Sequence, residues 1–387
     1  MPDSQAHDMG RELAGLSSCL AQAKRPLGFL MGAGCALAVR IIGESGENVP
    51  LIPDVAGLTR QVATNCASSE LATPFAALTD GLRLDLSREP NVEDLLSRLR
   101  VLKEIAGTES VRGLTKSQID RLETAIVGEV TTAVRVALPI GQSPYRDLAV
   151  WLGATDRRPA PEIFTTNYDL LVEHALERHH LPYFDGFVGG ESPFLDLRAI
   201  EEDEIPARWT RLWKLHGAIN WTLTAGGEVL RRHAGDGDGQ SLIHPSHLKY
   251  DQSRRMPYLI MQDRLRGFLR QPGVAIVVVG YSFGDEHINA LLVDGLRSNR
   301  TASAFALQFA SLQTQTKLVE LASVIPNLSV LAPDGAVVST VHGSWKAEAD
   351  EDHPAFDLGD FSRFGTFLRM LVGEARGTAA EELSNVE

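Results

Sequence analysis

The chain has 387 residues but little cysteine and no long apolar run, and each shortage excludes a class of protein. Its three cysteines (Cys19, Cys35 and Cys66) are too few for a disulfide framework, and no Cys-x-x-Cys pair is present to hold zinc. The apolar run from Leu27 to Val39 is too short to span a bilayer. Lys24 and Arg25 precede this run as in a signal peptide, but the stretch before them carries Asp3, Asp8 and Glu12, whereas the start of a signal peptide is normally short and basic. We expect a buried strand there and a cytoplasmic protein.

Basic residues are also scarce relative to acidic ones. There are 37 lysines and arginines against 50 aspartates and glutamates, giving a net charge of −13. This balance argues against a general nucleic-acid surface, although a local basic groove would escape it, and we expect nucleic-acid contact at most indirectly or through a partner. Hydrophobic residues make up 44%, which is ordinary for a folded chain able to bury a sizeable core.

Several apolar segments are near-continuous and not alternating, which predicts strands of a parallel sheet buried on both faces. Helical patterns follow several of these segments. Strand–helix alternation over this length predicts an α/β fold with a Rossmann-like, doubly wound parallel sheet. The predicted strands are residues 27–31, 162–165, 212–215, 274–279, 304–309 and 328–331.

A long excursion separates the first two predicted strands. Asn91 has the features of a helix N-cap, and Thr115 with Gln118 fits a capping box; an apolar stripe at helical spacing follows each. The excursion is therefore predicted to be a helical subdomain. We expect a Rossmann domain at 1–54 and 161–335, a helical insertion at 55–160, and a C-terminal acidic segment at 336–387 with an amphipathic helix and a disordered tail.

Four motifs with glycine or polar side chains lie directly after predicted strands. Ligands of open α/β sheets bind outside the carboxyl ends of the strands, so four coincident motifs predict a ligand crevice. They are Gly32-Ala33-Gly34-Cys35, Thr165-Thr166-Asn167-Tyr168-Asp169, Trp213-Lys214-Leu215-His216-Gly217 and Gly280-Tyr281-Ser282-Phe283-Gly284-Asp285.

Each motif has a chemical and a structural interpretation. The glycines can let backbone approach a phosphate or only permit close packing. Asn167 and Asp169 can hydrogen-bond a ligand or cap the next helix, and Asp285 can likewise be only a cap. His216 can project into the crevice and transfer a proton, as imidazoles do in general acid–base catalysis, or it is a structural histidine. His244 and His247 either line the site or cap a turn.

The order Gly-Ala-Gly-Cys, Thr-Thr-Asn-Tyr-Asp, Leu-His-Gly and Gly-Tyr-Ser-Phe-Gly-Asp-Glu-His-Ile-Asn, over about residues 27–300, resembles the sirtuin-like (silent information regulator) domains of bacterial antiphage defence. The layout, without a fused Argonaute-type module, is similar to the subunit that works with a HerA-like hexameric ATPase. The resemblance implies NAD+ as substrate, homo-oligomerisation and abortive depletion of NAD+ on infection. It implies no metal.

The resemblance also implies roles for individual residues. Asn167 matches the asparagine that positions water at the nicotinamide ribose, and His216 matches the catalytic base. Asp169 matches the residue near the nicotinamide carboxamide, while Pro53 and Asp54 match a loop over the nicotinamide side. The residues expected to bind NAD are Gly32, Ala33, Gly34, Cys35, Pro53, Asp54, Thr166, Asp169, Gly280, Tyr281, Ser282 and Phe283.

Two departures bear on the reaction. Deacylating sirtuins carry a four-cysteine zinc module, which this chain cannot build. They also have Phe-Arg after the Pro-Asp pair, where this chain has Val55-Ala56. Both departures weigh against acyl-lysine peptides and leave NAD+ cleavage unaffected, so the expected enzyme is an NAD+ glycohydrolase. The alternatives are an ADP-ribosyltransferase or deacylase, a cysteine hydrolase using Cys35 with His216, and a non-catalytic nucleotide-sensing assembly module.

Overall fold

The computed structural model describes residues 6–43, 45–224, 226–232, 240–243, 257–346 and 356–384. The strands are β1 Ala6–His7, β2 Leu27–Met31, β3 Arg40–Ile42, β4 Asn48–Pro50, β5 Glu162–Thr165, β6 Tyr183–Phe184, β7 Phe187–Val188, β8 Phe194–Leu195, β9 Thr210–Lys214, β10 Gly217–Leu223, β11 Val229–Arg231, β12 Gln240–Ile243, β13 Ala275–Val279, β14 Ser303–Leu307, β15 Leu328–Ala332, β16 Gly335–Val338 and β17 Val341–Trp345. The helices are α1 Met9–Ala21, α2 Ala33–Leu37, α3 Val55–Ala67, α4 Ala72–Leu86, α5 Val92–Ile105, α6 Lys116–Val134, α7 Pro144–Ala154, α8 Leu171–Arg178, α9 Leu197–Glu202, α10 Tyr258–Leu269, α11 Glu286–Ser298, α12 Thr316–Ala322 and α13 Phe361–Ser384.

The main sheet has the strand order β1-β17-β16-β15-β14-β13-β2-β5-β9-β6. All pairs from β15 to β6 are parallel, which confirms the predicted doubly wound α/β fold. Every residue of β2, β5, β9 and β13 is buried, and β2 and β13 are apolar throughout, as expected for strands covered on both faces. The chain builds outward from β2 through β5 and β9, then returns to β13 on the other side of β2. The crevice of such a sheet lies at this change of direction.

Helices α3 to α7 form the insertion between β4 and β5. The two predicted capping signals are both present: Asn91 forms a reciprocal capping box with Asp94 at α5, and Thr115 forms one with Gln118 at α6. The predicted apolar stripes pack as a core. Their buried members include Leu95, Leu96, Leu99, Leu102, Ile119, Leu122, Ile126 and Val130.

The sheet continues past the predicted boundary at residue 335. Residue 335 opens β16, which pairs antiparallel with β15, and β17 and then β1 extend the same sheet. Helix α13 packs against α7, with the ring of Phe361 at 5.1 Å from that of Tyr145. The helical backbone runs to Ser384, beyond the start of the predicted disordered tail.

A second sheet, with the order β12-β10-β11-β8-β7, was not predicted from the sequence. Its pairs are antiparallel, and β10 begins at Gly217, directly after His216. Strands such as β7 and β8 are two residues long and have no readable alternation. In the described parts of the chain, no helix combines the length and the apolarity needed to cross a membrane.

Candidate active site

The four motifs come together at one edge of the main sheet. Strands β13, β2, β5 and β9 are consecutive neighbours and run parallel, so the turns that follow them share the carboxyl edge. The backbone N–H of Leu215 donates to the carbonyl of Thr165 at 2.8 Å, which joins the turn before Asn167 to the turn that carries His216. The structure therefore brings the four predicted motifs to one edge of the sheet.

The glycines of the first and last turns pack backbone against backbone. The N–H of Gly34 donates to the carbonyl of Gly280 at 2.8 Å, and the N–H of Cys35 donates to Gly32 at 3.0 Å. A Cβ on Gly32 would lie 2.4 Å from the Gly280 oxygen, and one on Gly280 would lie 2.5 Å from the Cys35 nitrogen. Close packing thus accounts for these glycines, and Ala33 is the exposed residue of the first turn.

The structure contradicts the alternative in which Cys35 is a nucleophile. The side chain is fully buried, and its Sγ donates to the carbonyl of Val279 at 3.4 Å. Burial raises the pKa of this thiol well above its usual value, and the nearby Asp169 raises it further. A nucleophilic cysteine needs an accessible thiolate, and both conditions fail here.

Asn167 is held between the ends of β5 and β2. Its N–H donates to Oγ1 of Thr165 at 3.0 Å, and the same hydroxyl donates to the carbonyl of Met31 at 3.1 Å. Its Nδ2 donates to the carbonyl of Gly32 at 3.0 Å. Helix α8 begins only at Leu171, so Asn167 is not its cap. Thr165, which the sequence analysis did not select, fixes the backbone of Asn167.

Asp169 lies in the protein interior. Its Oδ1 accepts from the N–H of Leu171 at 3.0 Å, which matches the structural interpretation of this residue. Burial raises the pKa of Asp169, while the charge of Lys214 opposes that rise. Thr166, on the same turn, is half-buried, and its N–H donates to Met31 at 3.2 Å.

His216 forms a buried pair with Asp285. Nε2 of the imidazole lies 2.8 Å from Oδ2 of the carboxylate, and both side chains are less than a tenth exposed. Oδ1 of Asp285 accepts from the backbone amides of His287 and Ile288 at 2.9 and 3.2 Å. The predicted capping role of Asp285 is confirmed, but the same carboxylate also binds the histidine.

The charge state of Asp285 fixes the protonation of the imidazole. Burial raises its pKa, but the hydrogen bond and charge of His216 and the two amides outweigh burial, and the net pKa lies below the usual value. An ionised carboxylate only accepts hydrogen bonds, so Nε2 of His216 carries a proton. Nδ1 is then the nitrogen that can take up a proton, as in other carboxylate–histidine pairs.

The last turn is fixed by Asn289 of α11. Its Nδ2 donates to the carbonyl of Phe283 at 2.7 Å, and its Oδ1 accepts from the Tyr281 hydroxyl at 2.9 Å. Phe283 has a φ of +55°, a left-handed conformation that non-glycine residues seldom adopt. Tyr281 and Phe283 are buried and support the turn, whereas Ser282 between them is exposed.

Two predicted site residues lie at the start of the helical insertion. Oδ1 of the exposed Asp54 accepts from the N–H of Gly57 at 2.6 Å and so caps α3, and Pro53 precedes it half-buried. The structure therefore gives Asp54 a capping role. His244 and His247 lie outside the described residues.

The helical insertion also approaches the site, which the sequence analysis missed. The ring of Tyr168 lies 6.4 Å from that of His216. Burial raises the pKa of Tyr168 well above its usual value; Glu93 of α5 raises it further, and Arg100 of the same helix lowers it. These charges act on Tyr168 only if α5 lies close to it.

Across the described residues, no group of three or more His, Cys, Asp or Glu side chains could hold a metal ion.

Comparisons with known proteins bear on the same region. Residues 161–329 match a family model described as a SIR2-like domain, a stretch that contains Asn167, His216 and the Gly280 turn. A structure reported for the mechanism and regulation of Sir2 enzymes is 11% identical, covers 95% of this chain and 99% of its own, and has a TM-score of 0.42. A histidine-to-tyrosine variant of Sir2 with a p53 peptide and NAD is 14% identical, covers 78% and 86%, and has a TM-score of 0.32. No curated protein matches the chain.

Proposed function

We propose that the chain is an NAD+ glycohydrolase, which cleaves NAD+ to nicotinamide and ADP-ribose. The observation that carries the proposal is the buried His216–Asp285 pair beside the fixed amide of Asn167, at the carboxyl ends of neighbouring strands. The SIR2-like match of residues 161–329 supports an NAD-dependent activity of the sirtuin kind.

The leaving group determines what the protein must supply. Nicotinamide is bonded to ribose through a positively charged ring nitrogen, so it departs as a neutral molecule and needs no general acid. The transition state resembles an oxocarbenium ion, as in other glycosyl transfers. The site must therefore orient the acceptor, remove its proton and stabilise positive charge on the sugar.

His216 is the proposed base. With Nε2 bonded to Asp285, Nδ1 accepts a proton from water or from a ribose hydroxyl. Such a base contributes about a hundredfold to ten-thousandfold to the rate. The carboxylate of Asp285 orients the ring and stabilises the imidazolium that forms, the role that a buried aspartate has in hydrolase triads.

Asn167 is the proposed positioning group. Hydrogen bonds to Thr165 and Gly32 hold its backbone and its side chain, so the amide is fixed before substrate binds. Misplacement of a reacting group by about 1 Å can cost about a hundredfold in rate, which is why a fixed amide is valuable here. The exposed Ala33 and Ser282, on turns that pack together, are proposed to contact the dinucleotide.

Separation of the products after incubation of NAD+ with the purified chain tests this proposal. Hydrolysis gives nicotinamide and ADP-ribose in equal amounts and does not require an acylated peptide as co-substrate. An ADP-ribosylated acceptor would show a transferase, O-acyl-ADP-ribose a deacylase, and binding without turnover a sensing module. We expect Asn167→Ala and His216→Ala to stop nicotinamide release in folded protein; undiminished turnover in both would overturn the assignment.

We extend the proposal to the cell on the strength of the motif order. There the chain would act in the cytoplasm as a homo-oligomer with a HerA-like hexameric ATPase and deplete NAD+ on phage infection. Cells carrying both proteins should lose NAD+ and limit phage yield after infection. His216→Ala should abolish both effects, and protection that persists with this variant would contradict the defence role.

A further inference from the structure

A buried lysine that the proposed chemistry does not use lies next to the site. Lys214 ends β9, two residues before His216, and its side chain is 2% exposed. Its ammonium lies 2.9 Å from Oε1 of Glu173 on α8, a carboxylate that is itself 9% exposed. The ammonium also donates to the backbone carbonyl of Asp169.

Stability alone does not explain this ion pair. Removing two charges from water is costly, and well-packed apolar residues often serve a fold equally well. The neighbours of Lys214 on β9 and after it, Trp213 and Leu215, are buried and apolar. The feature that an apolar residue could not reproduce is the bond to the Asp169 carbonyl.

That bond completes a set of three links between the Asn167 turn and the segment that runs from the end of β9 into β10. Leu215 N–H donates to the Thr165 carbonyl at 2.8 Å, at the beginning of the turn. Ile219 N–H donates to the Tyr168 carbonyl at 3.1 Å, near its end. Lys214 holds the last residue of the turn, Asp169, and ties it to α8 through Glu173.

We propose that Lys214 is a positioning residue that fixes the Asn167 turn relative to His216, with Glu173 holding the ammonium in place. The inference rests on the proposed NAD+ cleavage for its catalytic consequence. Its structural content is that removal of the ammonium loosens residues 165–171, whatever reaction the site performs.

Lys214→Met removes both contacts of the ammonium and keeps most of the length of the unbranched side chain. We expect nicotinamide release in a single turnover to slow by about 10- to 100-fold, because the Asn167 amide is no longer held in place. The dissociation constant of NAD+ should change by less than about threefold, with binding stoichiometry near one, which excludes an unfolded fraction. Amide hydrogen exchange in the peptide spanning residues 165–171 should accelerate.

Arg211→Met is the matched control on the same strand. Arg211 lies at the opposite end of β9, its side chain is 6% exposed, and its Nε pairs with Asp203 at 2.9 Å. We expect this variant to be less stable but to keep the single-turnover rate and the exchange of residues 165–171. Glu173→Gln retains an acceptor for the ammonium, so its single-turnover rate should stay within about fivefold of the unmodified protein.

The double variant Lys214→Met with Glu173→Gln removes both charges of the ion pair and leaves no unpaired charge at Glu173, so it remains informative if the single variant does not fold. It should show the same slow turnover and fast exchange. Recovery of the original rate in the double variant, or unchanged exchange at 165–171 in either, overturns the inference. If the unmodified chain binds NAD+ without cleaving it, the proposed function fails while hydrogen exchange still decides the role of Lys214.

Discussion

Replacing Asp285 by asparagine perturbs His216 without changing the shape of its partner. In the structure Oδ1 of Asp285 accepts from two amides at the start of α11, and Oδ2 binds Nε2 of His216 at 2.8 Å. An asparagine can keep the helix cap through its carbonyl oxygen. Its NH2 group then faces Nε2, so the imidazole must present a lone pair there and carry its proton on Nδ1.

The magnitude follows from the bond that is lost and from the tautomer that replaces it. A hydrogen bond to a charged group contributes about 1.5–3 kcal/mol, which corresponds to about 10- to 150-fold in rate. The changed tautomer also blocks the basic nitrogen, and the same substitution in a hydrolase triad costs about ten-thousandfold. We therefore expect kcat for NAD+ cleavage to fall by about 10²–10⁴, with KM changed by less than about threefold.

Two measurements check this result. Nicotinamide release gives kcat and KM, and the ¹⁵N shifts of the histidine rings, with His216 assigned from its alanine variant, give the tautomer above the pKa of the ring. Asp8→Asn is the control, because Asp8 caps α1 through Arg11 N–H at 2.9 Å at the far edge of the sheet. An Asp285→Asn enzyme that keeps a third or more of its kcat, with Nε2 still protonated, would refute the argument.

Three further predictions concern the surroundings of the site. Cys35→Ser should keep NAD+ cleavage within about tenfold, since the thiol is buried and not a thiolate, and complete loss of activity with intact folding would revive the cysteine mechanism. Burial raises the pKa of Glu173 from 4.5 to about 7. The folded protein therefore binds this proton more tightly than the unfolded chain does, and the resulting stabilisation fades as pH rises through that range. Relative to Glu173→Gln, the free energy of unfolding in urea should fall by on the order of 3 kcal/mol over this rise in pH, and a constant difference would contradict this. Gly280→Ala should destabilise the fold by about 2–3 kcal/mol, because the new Cβ would lie 2.5 Å from the backbone nitrogen of Cys35. Gly273→Ala is the control: its φ of +66° is similar but its surroundings are open, so it should cost about 1 kcal/mol. Equal costs would show that the turns do not need close packing.

The central sheet was predictable because its strands are buried on both faces. The bounds of β2 and β5 match the predicted segments, since a strand covered by helices on both sides has a mostly apolar sequence, which in β5 is Ile163 and Phe164 between two polar ends. Strand β17 was missed for the converse reason. Val341–Trp345 has exposed and half-buried positions and one buried glycine, so its sequence has no continuous apolar run.

For the candidate site, the sequence predicted only which turns would meet. The structure brings these four turns to the carboxyl ends of neighbouring parallel strands, but spacing alone cannot show that Asp285 bonds His216. The glycine turns show the same limit, because phosphate binding and close packing require the same residue at Gly34 and Gly280. Lys214 did leave a signal, a charged residue inside an apolar strand, which indicates a buried partner.

The central claim is that Asn167 and His216 act on one sugar. A crystal structure of the unmodified chain with carba-NAD, whose carbocyclic ring resists cleavage, tests this directly. We expect the nicotinamide-bearing ring at the ends of β5 and β9, within hydrogen-bond distance of both side chains. A dinucleotide bound elsewhere, a ring that contacts neither residue, or no binding at millimolar concentration would contradict it.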